Sequence, residues 1–312
     1  MPENQHVGVV GVGQMGMAVA RRLLERGYVV RTRDIRAEAD AEAREVGATV
    51  CDSPAELAAP CRAVITLVVN EAQTEEVVFG PRGVAETLGP EAILIVSSTV
   101  SPTFIESLAG RLAERGLAML DAPISGGPAR ARAGAISMML AGPDAALARA
   151  GDVLDALSNA RFRMSERPGD GARMKLVNNM LAGINLAGSC EALALGVRLG
   201  LDPQRVFDVV QASSGGSWIF GDRMPRVLAG DYRPKAATTL LTKDISLAID
   251  AAREAGFPAP VAAAALQVYL ATVALGHGGE DDAALVKFYQ ALTDIALPGV
   301  TRPDSGSRGI VR

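Results

Sequence analysis

Histidine, cysteine and aromatic residues are what this sequence has least of, and each scarcity narrows the chemistry open to it. With only His6 and His277, triads and metal centres built on imidazole are hard to assemble. Cys51, Cys61 and Cys190 are odd in number, widely spaced and without a CxxC pair. That argues against a disulfide framework or a zinc site and suits a reducing compartment, so no metal and a cytoplasmic location are expected. Aromatics are 4% of the chain against 49% hydrophobic residues, a balance that favours close-packed helices and buried parallel strands. The net charge is -4 with no basic run, which offers nothing to nucleic acid or an anionic membrane surface. Met1 to His6 holds no Lys or Arg, so no signal peptide is expected. The longest low-charge segment, Val261 to Gly276, is interrupted by Gln267 and falls short of the ~20 apolar residues that span a bilayer. A soluble protein with no membrane partner is the expectation.

What the chain does have begins at its N-terminal end. At 312 residues it exceeds the roughly 250 to 300 at which single cores split, so two domains are expected. The run Val7-Gly8-Val9-Val10 reads as a buried strand. Gly11-Val12-Gly13-Gln14-Met15-Gly16 follows as a glycine turn, and a helix closes at Gly27. A second β-run, Tyr28 to Thr32, leads to Asp34, at the distance where a carboxylate meets an adenosine ribose diol. Strand, turn, helix and acid together predict dinucleotide binding, with the backbone and the helix N-terminus facing the pyrophosphate. A carboxylate accepts from a free 2'-hydroxyl and repels a 2'-phosphate, so Asp34 favours NAD over NADP; Arg33 and Arg36 beside it pull the other way.

Further β-runs at Ala48 to Val50, Ala63 to Val69, Ala92 to Ser97, Ala118 to Leu120 and Ile136 to Leu140 alternate with helical stretches. Such alternation predicts an α/β, Rossmann-like, doubly wound parallel sheet. Val69-Asn70 and Ser98-Thr99 end apolar strands and are candidate cofactor contacts, with a turn cap as the alternative for each. Ser125-Gly126-Gly127 reads either as an ordinary turn or as a carboxylate cradle of hydroxyl and backbone amides. After Phe162 the β-signal stops. Ala172 to Leu199 holds no proline and predicts a single helix roughly 40 Å long. Lys175 and Asn179 share one face of it, extended by Gly171 and Gly183, and that face is either solvated or turned to a ligand. Lys243-Asp244 reads as a helix start, where a cation opposes the dipole and so answers either to solvent or to a ligand. Trp218 is expected to anchor the core, with a pocket wall as the alternative, and His277 to lie in a loop. The division that results is an N-terminal cofactor domain over 1–168, an interdomain helix over 169–199, an all-α C-terminal domain over 200–298 and a flexible tail over 299–312.

Four ordered motifs, Gly11 to Gly16, Asp121-Ala122-Pro123-Ile124-Ser125-Gly126-Gly127, Gly169-Asp170-Gly171 with Lys175 and Asn178-Asn179, and Lys243-Asp244, resemble those of the β-hydroxyacid dehydrogenases. The resemblance runs from Val7 to about Ala296. It implies that Lys175 is the catalytic acid/base and that Asn179 helps hold the substrate. It also implies that Ser125, Gly126 and Gly127 bind the substrate carboxylate, and that Val68, Val69, Thr99 and Lys243 contact the cofactor. Three further stretches, Val69 to Gln73, Gly216 to Met224 and Gly278 to Asp282, resemble one branch of that family, although Ala283 stands where Ser is usual. The resemblance implies oxidation of a small polyhydroxy acid: hydride passes to nicotinamide C4 while the Lys175 amine takes the hydroxyl proton. A free lysine of pKa roughly 10.4 is a poor base at neutral pH, so surroundings that favour the neutral amine are expected. Members acting on 3-hydroxy acids or semialdehydes are the alternative enzymes, and a cofactor-binding interaction module is the non-enzymatic one. A homodimer or homotetramer is implied by the same resemblance.

Overall fold

The computed structural model describes residues 5–293 and 295–298; the tail assigned to 299–312 lies outside the described residues. The chain falls into two compact units that part between Val177 and Asn178.

The first unit runs β1 (His6–Val10), α1 (Gln14–Glu25), β2 (Val29–Arg33), α2 (Ala37–Glu45), β3 (Thr49–Val50), α3 (Pro54–Ala58), β4 (Ala63–Thr66), α4 (Glu71–Phe79), β5 (Ile93–Val96) and α5 (Pro102–Ala113). It continues with β6 (Ala118–Asp121), β7 (Ile124–Ser125), α6 (Gly127–Arg132), β8 (Ser137–Ala141), α7 (Asp144–Leu157), β9 (Ala160–Ser165) and the start of α8 (Asp170–Arg198). The strands form one sheet in the order β3-β2-β1-β4-β5-β6-β8-β7, with β9 beside β8. Strand alternation sorts its side chains into two layers. Ile93 and Ile95 face a core shared with α1, α2 and α7. Leu94 and Val96 face one shared with α3 and α5. The order reverses between β1 and β4, so the C-terminal ends of these strands open a crevice of the kind where ligands bind in such sheets.

Three details depart from the sequence expectation. The sheet is mixed rather than parallel throughout, because β8 runs antiparallel to β6 and β7. The strand predicted to reach Val69 ends at Thr66; Leu67 N still donates to Val10 O, but the two N–H groups after it turn to side chains, Val68 N to Ser98 Oγ and Val69 N to Gln73 Oε1. The β-signal also outlasts Phe162. The strand β9 reaches Ser165, and its exposed, Arg-rich sequence is that of a sheet edge.

The second unit holds the remainder of α8 and the helices α9 (Pro203–Gln211), α10 (Trp218–Ala229), α11 (Thr238–Glu254), α12 (Pro260–Thr272) and α13 (Val286–Thr293) around one core. Leu241, Ile245 and Ala248 line the buried face of α11. Gly183 is where α8 meets both α11 and α12: a Cβ there would stand 2.3 Å from Ile245 Cδ1, and its carbonyl accepts from Tyr269 Oη at 3.2 Å. The glycine thus serves helix packing. Lys243 lies in the second turn of α11, not at its start, because Thr238 opens the helix with its N–H on Glu280 O. The dipole argument applied to Lys243 therefore fails, as that effect fades beyond the first turn. Trp218 is 56% exposed and opens α10 after the Ser217 cap; Phe220, stacked on Phe207, is the aromatic core anchor. His277 ends a π-helical turn over Val273–His277, with Nδ1 3.0 Å from Glu280 Oε1. At the branch-specific segment the cap missing with Ala283 comes from Asp281, whose carboxylate accepts from Ala283 N.

By length and composition alone, two helical runs among the described residues are long and apolar enough to cross a membrane, α8 and Pro260–His277. The low-charge segment Val261 to Gly276 lies within the second run, which adds Pro260 and His277 at its ends. Within the chain, 44% of the apolar window of α8 and 22% of that of Pro260–His277 are buried.

Phe220→Ala is expected to cost about 3–5 kcal/mol of stability and Trp218→Ala to stay within about 0.5 kcal/mol of the parent. Chemical denaturation of both variants checks this, and a larger loss at Trp218 would contradict the packing described.

Candidate active site

Cofactor-facing geometry in the first unit starts at the glycine turn. Gly11 has φ +87°, in the left-handed region that glycine tolerates. A Cβ on Gly16 would stand 1.9 Å from Gly11 O, so strand and helix meet too closely for any side chain. Among the described residues α1 has no side-chain cap and no acid in its first turn, with Gly13 at the N-cap and Gln14 and Met15 following. Its leading N–H groups and positive dipole end suit a pyrophosphate. Residues 11 to 16 therefore fit the diphosphate of a dinucleotide.

Asp34 stands at the end of β2, where its Oδ2 accepts from Val12 N at 2.8 Å. Its Oδ1 accepts from Arg36 N at 3.0 Å and Arg36 Nε at 3.1 Å, and Arg36 Nη2 reaches Oδ2 at 3.2 Å. Burial works to raise the Asp34 carboxyl, but the Arg36 guanidinium and the backbone bonds outweigh it and hold the group below the usual carboxylate range. Arg36 is itself 56% exposed and borders a cavity of about 440 Å³ beside Gly13, Arg21 and Arg132. Arg33, the other cation weighed for the cofactor, turns instead to Asp40 at 3.0 Å.

Val68 and Val69 follow β4 and are half-buried and exposed respectively. Their amides are bonded to Ser98 and Gln73, while Thr99 follows Ser98 as a half-buried residue. Asn70 is the N-cap of α4, its Oδ1 accepting from Gln73 N at 2.9 Å. Ser125 pairs with Ser137 across β7 and β8. Gly126 and Gly127 adopt φ of +130° and +77°, turning the chain directly into α6.

Lys175 joins this turn. The amine Nζ donates to Ile124 O at 2.7 Å, the carbonyl of the residue just before Ser125, and the side chain is 8% exposed. A solvated lysine is thereby ruled out. The helix that carries it is fastened at its first turn by Asp121, at the end of β6, whose Oδ2 accepts from Gly169 N at 2.8 Å and Ala172 N at 3.1 Å. Burial pushes the Asp121 carboxyl up to about 6 in spite of those bonds. Gly171, read from the sequence as extending a ligand face, is occupied by this contact: a Cβ there would lie 2.9 Å from Asp121 Oδ2.

In the second unit, Asn179 Nδ2 donates to Asp244 Oδ2 at 2.6 Å and Asn179 Oδ1 accepts from Asn178 Nδ2 at 3.0 Å. Lys243 Nζ stands 3.0 Å from Asp244 Oδ1. Asn179, Asp244 and Lys243 thus form one polar group on α8 and α11, with a hydrogen bond between Asn179 and Asp244 and an ion pair between Asp244 and Lys243. In the sequence Asp244 and Asp121 stand only as members of motifs; an acid closing an apolar strand is the signal available for Asp121. Among the described residues no cluster of three or more His, Cys, Asp or Glu side chains could hold a metal ion.

Residues 6–165 match the NAD binding domain of 6-phosphogluconate dehydrogenase, and residues 169–289 match the NAD-binding domain of NADP-dependent 3-hydroxyisobutyrate dehydrogenase. An L-threonate dehydrogenase of Cupriavidus necator is 45% identical over 296 residues, covering 95% of this chain and 99% of that protein. The mitochondrial 3-hydroxyisobutyrate dehydrogenase of Mus musculus is 31% identical, over 92% of this chain and 88% of its own length. A crystal structure of 3-hydroxyisobutyrate dehydrogenase from Salmonella typhimurium superposes with a TM-score of 0.86 at 39% identity, covering 90% of this chain and 99% of that one. With a dinucleotide platform, a buried lysine against a Ser-Gly-Gly turn and relatives matched along nearly their whole length, the chain belongs to the β-hydroxyacid dehydrogenases, oxidoreductases with NAD(P)-binding domains.

Proposed function

We propose that this protein oxidises L-threonate at C2 to 2-oxo-L-threonate with NAD as the hydride acceptor. The observation that carries the reading is the buried Lys175 amine held 2.7 Å from Ile124 O, beside a turn of hydroxyl and backbone amides suited to a carboxylate. Relatives named L-threonate dehydrogenase support the choice of acid. NAD supplies the hydride acceptor when bound. Gly11, Val12, Gly13, Gln14, Met15 and Gly16 bind its diphosphate, and Asp34 accepts from the ribose hydroxyls. Val68, Val69, Thr99 and Lys243 line the rest of the cofactor's course. Ser125, Gly126 and Gly127 take the substrate carboxylate, Asn179 holds a substrate hydroxyl, and Lys175 accepts the C2 hydroxyl proton as the C–H bond breaks. In reverse the ammonium returns that proton to the new alkoxide.

The division of the chain into a cofactor domain over 1–168, a helix over 169–199 and a helical domain over 200–298 is part of the same reading. So are a cytoplasmic location, a homodimer or homotetramer, and the absence of nucleic acid, membrane and metal partners. A second reading, oxidation of a 3-hydroxy acid, is favoured by the relatives named 3-hydroxyisobutyrate dehydrogenase. Purified protein offered L-threonate, 3-hydroxyisobutyrate, glycerate and tartronate semialdehyde with the matching oxidised or reduced cofactor, followed at the nicotinamide absorbance, separates the two. Preference for a 3-hydroxy acid would overturn the L-threonate assignment.

Lys175→Ala is expected to lower kcat by ~10²-fold to 10⁴-fold with cofactor affinity nearly unchanged; near-parental turnover would sink the role given to Lys175. Arg36→Ala frees the Asp34 carboxylate for the ribose diol and removes a cation from the 2' position. The ratio of kcat/KM for NAD over NADP should therefore rise by about tenfold or more, the scale of one charge-assisted hydrogen bond. An unchanged ratio would show that Arg36 takes no part in the choice.

A further inference from the structure

Asp121 is a buried acid, 1% exposed, that the reaction above leaves without a task. Its placement is specific. It closes β6 within the sheet, yet its Oδ2 accepts from two amides at the start of α8, Gly169 N just before the helix and Ala172 N in its first turn, about fifty residues further along the chain. A helix leaves its first amides without partners in the helix, and a local side chain ordinarily caps them. This chain has such local caps elsewhere: Ser53, Asn70, Ser101, Asp202 and Ser217 each cap the helix they precede. At α8 the partner is instead a desolvated carboxylate, a costly choice for capping alone, since burial pushes it up to about 6.

What the buried acid adds is location. Lys175 follows Ala172 by three residues, so fixing that turn fixes where the lysine stem leaves the helix. The start of β7 supplies the second hold, because Ile124, three residues past Asp121, accepts from the Lys175 amine at 2.7 Å. Gly171 lets the turn come close, since a Cβ would stand 2.8 Å from Met139 O and 2.9 Å from Asp121 Oδ2. The segment Asp121 to Ile124 therefore grips α8 at its backbone and at its lysine.

We infer that Asp121 is a positioning residue for Lys175, its carboxylate oxygen fixing the first turn of α8 against the end of β6 so that the amine meets the reacting hydroxyl at one set place. This inference rests on Lys175 being the proton acceptor. The test uses the full chain and compares Asp121→Ala, Asp121→Asn and Lys175→Ala by steady-state oxidation of L-threonate, calorimetric NAD binding and thermal melting. Asn keeps an oxygen able to accept both amides and loses the charge, whereas Ala loses the tie itself. Asp121→Ala should lower kcat about 10-fold to 100-fold, the scale of a misplaced catalytic group, with NAD affinity within about threefold. Asp121→Asn should restore most of that loss. A folded Asp121→Ala protein with parental kcat overturns the inference, as does a loss confined to NAD affinity, or an Asn variant as impaired as the Ala variant. If Asp121→Ala does not fold, Asp121→Glu, which keeps the charge and moves the oxygen by one methylene, replaces it; loss of kcat supports the role and parental kcat overturns it. Parental turnover in Lys175→Ala removes the functional reading itself. An inactive Lys175→Ala beside an unimpaired Asp121→Ala removes only the positioning role.

Discussion

A single carboxylate oxygen, Oδ2 of Asp121, takes one amide just before the long helix and one in its first turn, and so joins the central sheet to the segment that carries Lys175. Around it the packing allows little latitude. Gly171 cannot carry a side chain there, and Asp170 in the same turn is bonded by Ser165, Arg167 and Arg173. The turn is thus held from the sheet side and from its own flank. The amine one turn on inherits that fixity, because a buried lysine with its head on a backbone carbonyl has few rotamers left to sample.

A second constraint is the closeness of strand and helix at the glycine turn. Gly8, Gly11 and Gly16 each occupy a place where a Cβ would collide with Leu57, Leu67 or the backbone of Gly11. Close approach there lets the amides at the start of α1 point outward, which is the chemical basis for binding a phosphate group by backbone alone.

Much of this was legible in the sequence because its signals are local. The apolar β-run from Ala92 to Ser97, the glycine spacing from Gly11 to Gly16 and the proline-free stretch from Ala172 to Leu199 all report on neighbours a few residues away. The misreadings share the opposite cause. Lys243 looked like a helix start because the true one, Thr238, is fixed by the Glu280 carbonyl 42 residues later. Trp218 looked like a core anchor because it is the only tryptophan, but the Ser217 cap turns Ile219, Phe220 and Met224 inward and leaves Trp218 outside. The edge strand β9 was hidden by arginines that an edge accommodates and a central strand does not. In the candidate site, Lys175 was visible by spacing and resemblance, whereas its hold on Ile124 and the Asp121 tie join positions about fifty residues apart.

The pairing of Asp34 with Arg36 changes what recognition of an adenosine ribose would mean here. The carboxylate is already satisfied by two backbone amides and a guanidinium, so a ribose arriving at Asp34 would displace a partner rather than meet a hydrated ion. Affinity at that position is then an exchange between two bonded states, with a net gain smaller than either bond. Part of it would depend on ionic strength, since the displaced guanidinium must find its new counter-charge in solution.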